Sequence, residues 1–151
     1  RVSLVGSEMC IRDSHTSVNK YIKLEKKNKL DKIDTYQKFA KDVKKIKYES
    51  LENINKILDQ NKKIIGYGAP AKATTVLNYF GINHKYFQYV LDDSEIKHNK
   101  YIPETNIQIK SKDDVDVDKY EYILVLAWNF FESIVKNNKT RFKKSKFIKL
   151  K

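Results

Sequence analysis

The sequence predicts an α/β fold: a small parallel sheet with helices on its faces, preceded by a long helix. Three observations carry that expectation. Short apolar runs of strand length alternate with helical patterns through the second half of the chain. A glycine-rich turn joins the first of those strands to the first of those helices. Apolar residues make up 40% of 151 residues and aromatics 12%, enough for one buried core and too many for wholesale disorder.

The elements follow in order. Ser17–Lys23 (SVNKYIK) alternates weakly and reads as a strand; Glu25–Lys32 reads as a charged, solvated connector. From Asp34, taken as the N-cap, Tyr36, Phe39, Val43, Ile46, Leu51, Ile54, Ile57 and Leu58 recur mostly at three- and four-residue steps. No Pro or Gly interrupts that run to Gln60, so it predicts one long helix that packs along something or links two domains. Lys63–Tyr67 (KIIGY) is a short apolar strand, and Ala71–Phe80 a helix ended by Gly81. Tyr86–Leu91 is a second strand that closes on Asp92-Asp93. Ser94–Ile109 reads as a loop with an extended piece around Tyr101–Pro103. Tyr120–Leu126 is a strongly apolar third strand, Phe130–Asn138 a helix, and Lys146–Leu150 a last strand.

Lys and Arg number 31 against 19 acids, for a net charge of +12. The basic residues are nearly all Lys, and Asn and Ile are also abundant. AT-rich codons encode that trio, so the charge alone is no nucleic-acid footprint. On the long helix, Asp34, Asp42, Glu49, Glu52 and Asp59 interleave with the lysines and break any continuous phosphate-tracking stripe. A basic nucleic-acid-binding module is thus the least favoured reading. No apolar run approaches the roughly 20 residues a membrane helix needs, and no membrane partner is expected.

Gly66-Tyr67-Gly68-Ala69-Pro70-Ala71 lies between a strand and a helix, as a dinucleotide fingerprint does. In that reading the first Gly permits the tight turn, the second lets backbone approach a phosphate, and the helix start attracts the anion. Asp92 ends the next strand near where a ribose-binding acid belongs. Two residues oppose NAD. Pro70 removes a potential amide donor, and Lys72 sets a cation in the first helical turn, against the dipole unless an anion lies beside it. Three readings stay open on pattern alone: simple chain reversal, anion binding, or NAD binding.

Trp128 and Asn129 follow the third strand, at the sheet end where ligands of open α/β folds sit. Trp128 is either a stacking surface or a core lid, and Asn129 either a ligand contact or a helix N-cap. His15, His84 and His98 have no metal-ligand spacing and read as surface residues. Asp113–Asp118 (DDVDVD) reads as solvated acids, since it lacks the Gly and terminal Glu of a calcium loop.

The chain starts with Arg, and its only Met and Cys, Met9 and Cys10, fall within Arg1–Ser14. That stretch resembles translated sequencing-adapter DNA, specifically over LVGSEMCIRD, and is set aside from fold reasoning. The remainder then has no Cys, hence no disulfide, thiolate or Cys-based zinc site. The natural protein is expected to extend upstream.

Together, KIIGYGAPAKATTVLNYFGI, LDDSEIKHNKYIPETNI and YILVLAWNFFESIV resemble the C-terminal domain of S-adenosylmethionine-dependent C-methyltransferases acting on nucleotide-activated sugars. The resemblance runs from Ser17 to Ile148 without large gaps, and the GYGAPAK and AWN blocks are its specific parts. It implies a Rossmann-like domain over residues 62–151 and a connector helix over 25–61. Residues 15–24 would end a truncated methyltransferase domain. It implies a transferase whose chemistry, an enolate beside a sugar ketone attacking the methyl of S-adenosylmethionine, belongs to that upstream domain. The catalytic residues, the methyl-donor site and the zinc cysteines of the N-terminal segment would all lie there, so this fragment alone is expected to be inactive. No catalytic or metal-binding residue is expected within it, and the enzyme is expected in the cytoplasm. By resemblance, Gly66, Gly68, Ala69 and Lys72 would hold the diphosphate of a nucleotide-diphosphate sugar, with Asp92, Trp128 and Asn129 also at the substrate. The nucleotide, the sugar, the methylated carbon and the oligomeric state are left open. Family members usually carry Gly at the positions of Ala73, Asn99 and Glu104, and Pro at that of Glu95. Because Glu does not readily take positive φ, the turn at Glu104 is expected to have another shape. Lys97 and Tyr101 are marginal candidates.

Overall fold

A computed structural model describes residues 15–150 of the chain; Arg1–Ser14, set aside above, lies outside the described residues. The chain divides into two units, between Lys44 and Lys45.

The first unit holds helix α1 (His15–Lys27) and the start of helix α2 (Ile33–Leu58). The strand expected over Ser17–Lys23 is therefore a helix. Val18, Tyr21 and Ile22 stand at three- and four-residue steps, and Lys20, Lys23 and Glu25 around them are good helix formers. Lys26 and Lys27 close α1 at its negative dipole end. Lys29, at φ 55°, turns the chain. The Thr35 hydroxyl donates to the Lys29 carbonyl and that of Tyr36 to the Leu30 carbonyl, each at 2.7 Å. Helix α2 starts at Ile33, so Asp34 sits in its first turn and not at the cap.

The second unit is built on six strands: β1 (Ile64–Tyr67), β2 (Tyr89–Leu91), β3 (Tyr101–Ile102), β4 (Ile107–Lys110), β5 (Tyr122–Val125) and β6 (Lys146–Lys149). Their order is β3-β4-β2-β1-β5-β6, parallel throughout except the β3–β4 pair. Helix α3 (Ala71–Phe80) carries the chain from β1 to β2, and α4 (Phe131–Asn138) from β5 to β6. The expected Rossmann-like α/β architecture is present.

Period-two alternation divides the core between the two faces. Ile64, Leu124, Leu126, Val90, Ile107 and Ile109 point to one face, which also buries Ile54 of α2 and Ala73, Leu77 and Phe80 of α3. Ile65, Tyr67, Leu91, Ile123 and Val125 point to the other, against Phe142 and, partly buried, Phe131 and Ile134 of α4. Helix α3 ends as expected: Gly81 takes φ 78°, donates to the Asn78 carbonyl, and leaves the Ile82 amide to donate to Leu77.

The segment Ser94–Ile109, expected to be a loop, contains β4. Ile107 and Ile109 are buried while Gln108 and Lys110 are only partly so, a half-buried strand added parallel to β2. Strand β2 is correspondingly shorter than expected, because Tyr86–Gln88 turn into it. Glu104 does adopt positive φ, at 64°, beside Asn106 at 56°. Buried Thr105 fixes that turn, its hydroxyl donating to the Ile102 carbonyl at 2.9 Å and accepting from the Ile107 amide at 3.1 Å. Tertiary packing has overridden the preference of Glu104.

Candidate functional site

The strand order reverses between β1 and β5, so the carboxyl ends of these two strands flank a crevice where open α/β sheets take ligands. The Gly turn leaves β1 there. Gly66 lies inside β1, and the turn expected of it is made by Gly68, at φ 84°. A side chain at Gly66 would meet Val90 Cγ2 at 2.5 Å, so Gly66 serves close packing against β2. One at Gly68 would meet the Ala127 side chain, at the end of β5, at 2.8 Å. The two strand ends therefore approach as closely as they do because position 68 has no Cβ.

The turn's own amides are engaged within the domain. Gly68 N–H donates to the Leu91 carbonyl at 2.7 Å, and Ala69 N–H to Asp92 Oδ2 at 2.6 Å. Pro70 is the N-cap of α3 and offers no side-chain cap. Lys72 extends from that first turn over the indole of Trp128, its ammonium 4.2 Å from the ring centroid. Both residues are partly buried. Trp128 is thus a half-open aromatic plate with a cation on its face, not a sealed core lid. Asn129 stands exposed on the short turn Trp128–Phe130; the N-cap of α4 is Phe130, so Asn129 does not cap that helix.

Asp92 organises the opposite wall. Besides the Ala69 amide, it accepts from Ser94 N–H at 2.9 Å and lies 3.1 Å from the Lys97 ammonium. Its side chain is 10% exposed. The His98 ring, Nε2 2.7 Å from the Asp92 carbonyl, folds the tight turn Glu95–Lys97 back onto this corner. His98 is accordingly half-buried, whereas His84 is exposed as expected. Tyr101 is exposed on β3.

A second polar group at this end of the sheet escaped the sequence reading. The Tyr67 hydroxyl, 3.0 Å from Asp93 Oδ2 and 3.3 Å from Asn138 Oδ1, lies on the far face of β1. Lys112 meets Asp93 at 2.9 Å. The Lys112 ammonium holds the Asp93 carboxyl below its ordinary value, helped by the Tyr67 hydroxyl. Burial first, and then Asp93, raises the Tyr67 phenol. Only the doubling of acids at Asp92-Asp93 hinted at a divided role, one carboxylate for each face. The acids of Asp113–Asp118 are more than solvated: Asp113, Asp116 and Asp118 pair with Arg141, Lys119 and Lys144. Among the described residues no cluster of His, Cys, Asp or Glu could hold a metal ion, and no helix is long and apolar enough to cross a membrane.

The site's residues thus fall into two groups. Lys72 and Trp128 meet across the β1/β5 crevice, with Asn129 beside them in sequence. Gly68, Ala69 and Asp92 build the turn that leads into the helix carrying Lys72. A family model described as the C-methyltransferase C-terminal domain matches residues 2–150. Over 88 residues, 58% of this chain, the sequence is 31% identical to "C-methyltransferase NovU" of Streptomyces niveus. The chain covers 21% of that relative, about a fifth of its length.

Proposed function

The chain belongs to the family of C-methyltransferase C-terminal domains, and from that premise we propose that it holds the nucleotide-diphosphate end of an activated keto-sugar. The sugar is thereby positioned for methylation at a ring carbon by a catalytic domain outside this sequence. The observation that carries the reading is Lys72 lying 4.2 Å from the Trp128 ring at the β1/β5 switch point. A cation beside a half-open aromatic plate, at a helix start without a side-chain cap, offers what such a ligand needs: charge for phosphate and a flat apolar surface for base or sugar. The cation–π contact is worth about 0.5–2 kcal/mol, little enough for a phosphate to draw the ammonium away. Binding a remote, unreactive part of the substrate contributes orientation at the reacting carbon.

NAD fits this corner poorly. The Gly68 and Ala69 amides already donate inside the domain, and Asp92, where a ribose-binding acid belongs, accepts from two backbone amides and faces Lys97. The same occupancy gives the adenosine of S-adenosylmethionine no acid to bind, so no step of methyl transfer is assigned to these residues; the methyl donor belongs to the catalytic domain. A nucleotide-sugar reader with its catalytic domain elsewhere agrees with the share of the Streptomyces relative that this chain covers.

The test is Lys72→Ala, assayed by calorimetric binding of dTDP and UDP. Affinity for the preferred diphosphate should fall about tenfold, the worth of one charge-assisted contact, with little change in stability. Unchanged affinity would make Lys72 a surface residue and remove the reading's main support.

A further inference from the structure

We propose that Lys97 is a second cationic contact for the ligand's diphosphate, held in readiness beside the Gly turn by Asp92. The inference rests on the diphosphate reading above and names a residue that reading does not use.

Asp92 ties Lys97 to the crevice. One oxygen of its carboxylate accepts the Ala69 amide of the Gly turn at 2.6 Å, and the same oxygen lies 3.1 Å from the Lys97 ammonium. The cation is therefore one carboxylate away from the backbone that leads directly into Lys72. Its carrier is firmly folded. Lys97 N–H donates to the Ser94 carbonyl, His98 N–H to the Glu95 carbonyl, and the His98 ring sits 2.7 Å from the Asp92 carbonyl.

Distances indicate which of Asp92's partners can leave. The two backbone amides approach at 2.6 and 2.9 Å. The ammonium straddles the carboxylate at 3.1 and 3.2 Å, longer than the 2.7–2.9 Å usual for a charge-assisted contact. The amides hold the carboxylate in place, and Lys97 is its one side-chain partner among the described contacts. The Lys97 side chain is 37% exposed against 10% for Asp92, so the cation faces solvent while the acid does not. An arriving diphosphate, carrying more charge than the carboxylate, can take the ammonium by rotation of the lysine stem alone. Asp92 then keeps the Gly turn closed through its two amides. Its role is that of a positioning residue.

The experiment uses the full chain and four ligands: dTDP, UDP and their nucleoside monophosphates, titrated at low and moderate salt. Variants are Lys97→Ala, Lys97→Gln and Lys72→Ala. Lys97→Ala and Lys97→Gln should each weaken the preferred diphosphate about tenfold, weaken its monophosphate less, and make the salt dependence of affinity shallower. Equal losses for mono- and diphosphate, with an unchanged salt dependence, would make Lys97 a loop-shaping residue only and overturn the proposal. So would unchanged affinity. A loss in Lys72→Ala without one in the Lys97 variants would sink this inference and leave the parent reading standing. Failure of the unaltered chain to bind either diphosphate would overturn both.

Discussion

Replacing Gly68 by Ala perturbs the contact that brings the ends of β1 and β5 together, and its cost divides into two separable parts. The first is backbone: a non-glycine residue at φ 84° loses about 1–2 kcal/mol relative to glycine. The second is steric. The new Cβ would lie 2.8 Å from the Cβ of Ala127, well inside van der Waals contact, and overpacking of a tight site costs about 1–3 kcal/mol. Gly68→Ala should thus destabilise the chain by about 2–5 kcal/mol in urea unfolding, with the slope of the transition unchanged. In an Ala127→Gly background the steric part should vanish while the backbone part persists, so the double-mutant cycle should show about 1–3 kcal/mol of coupling. Because Trp128 adjoins Ala127 and is the only tryptophan, its fluorescence reports whether the crevice shifts. A cost for Gly68→Ala below about 0.5 kcal/mol, or strict additivity with Ala127→Gly, would refute the claim that this glycine sets the spacing of the two strand ends.

The remaining expectations concern stability and its pH dependence. Gly81→Ala has open space around its Cβ but keeps φ 78°, so it should cost only the backbone part, about 1–2 kcal/mol, by the same urea assay; a neutral result would mean that the helix end relaxes. The Asp93 carboxyl lies below its ordinary value of 3.8, so its contribution to stability is complete above pH 3.8 and is lost as pH falls through the folded value. Lys112→Met should flatten this acid limb of a stability–pH profile, and parallel profiles would contradict the assignment. The Tyr67 phenol is raised above 10.0, so its contribution is complete below pH 10.0 and is lost as pH rises through the folded value. Tyr67→Phe should remove that alkaline loss, and an unchanged alkaline limb would show that Tyr67 does not carry it.

Local punctuation made much of this fold legible. Pro70 and Gly81 bracket α3, and its bounds matched the expected Ala71–Phe80. The apolar runs at β1 and β5 were pure enough to be read as strands, and β6 was read from its short Phe147-Ile148 core between lysines. Strand β4 escaped because Ile107-Gln108-Ile109-Lys110 follows a turn rich in polar residues, and four alternating residues carry little signal without knowledge of the partner strand. Helix α1 was misread because so few apolar residues stand among its lysines that two- and four-residue spacings compete. At the site, residue type and chain position singled out Lys72 and Trp128, whose contact only the fold could reveal. The pairing of Ala69 N–H with Asp92 joins residues 23 positions apart and leaves no local pattern. The split between Asp92 on one face and Asp93 on the other follows from the two-residue period of β2, carried one step beyond its end.

The most direct measurement is calorimetric titration of the chain with dTDP, UDP and NAD, with Trp128 fluorescence followed in parallel. The account predicts saturable binding of one pyrimidine diphosphate in preference to NAD, a change in tryptophan emission as Lys72 leaves the indole, and, in Lys72→Ala, about tenfold weaker binding without that emission change. Tighter binding of NAD, or diphosphate binding indifferent to Lys72, would contradict it.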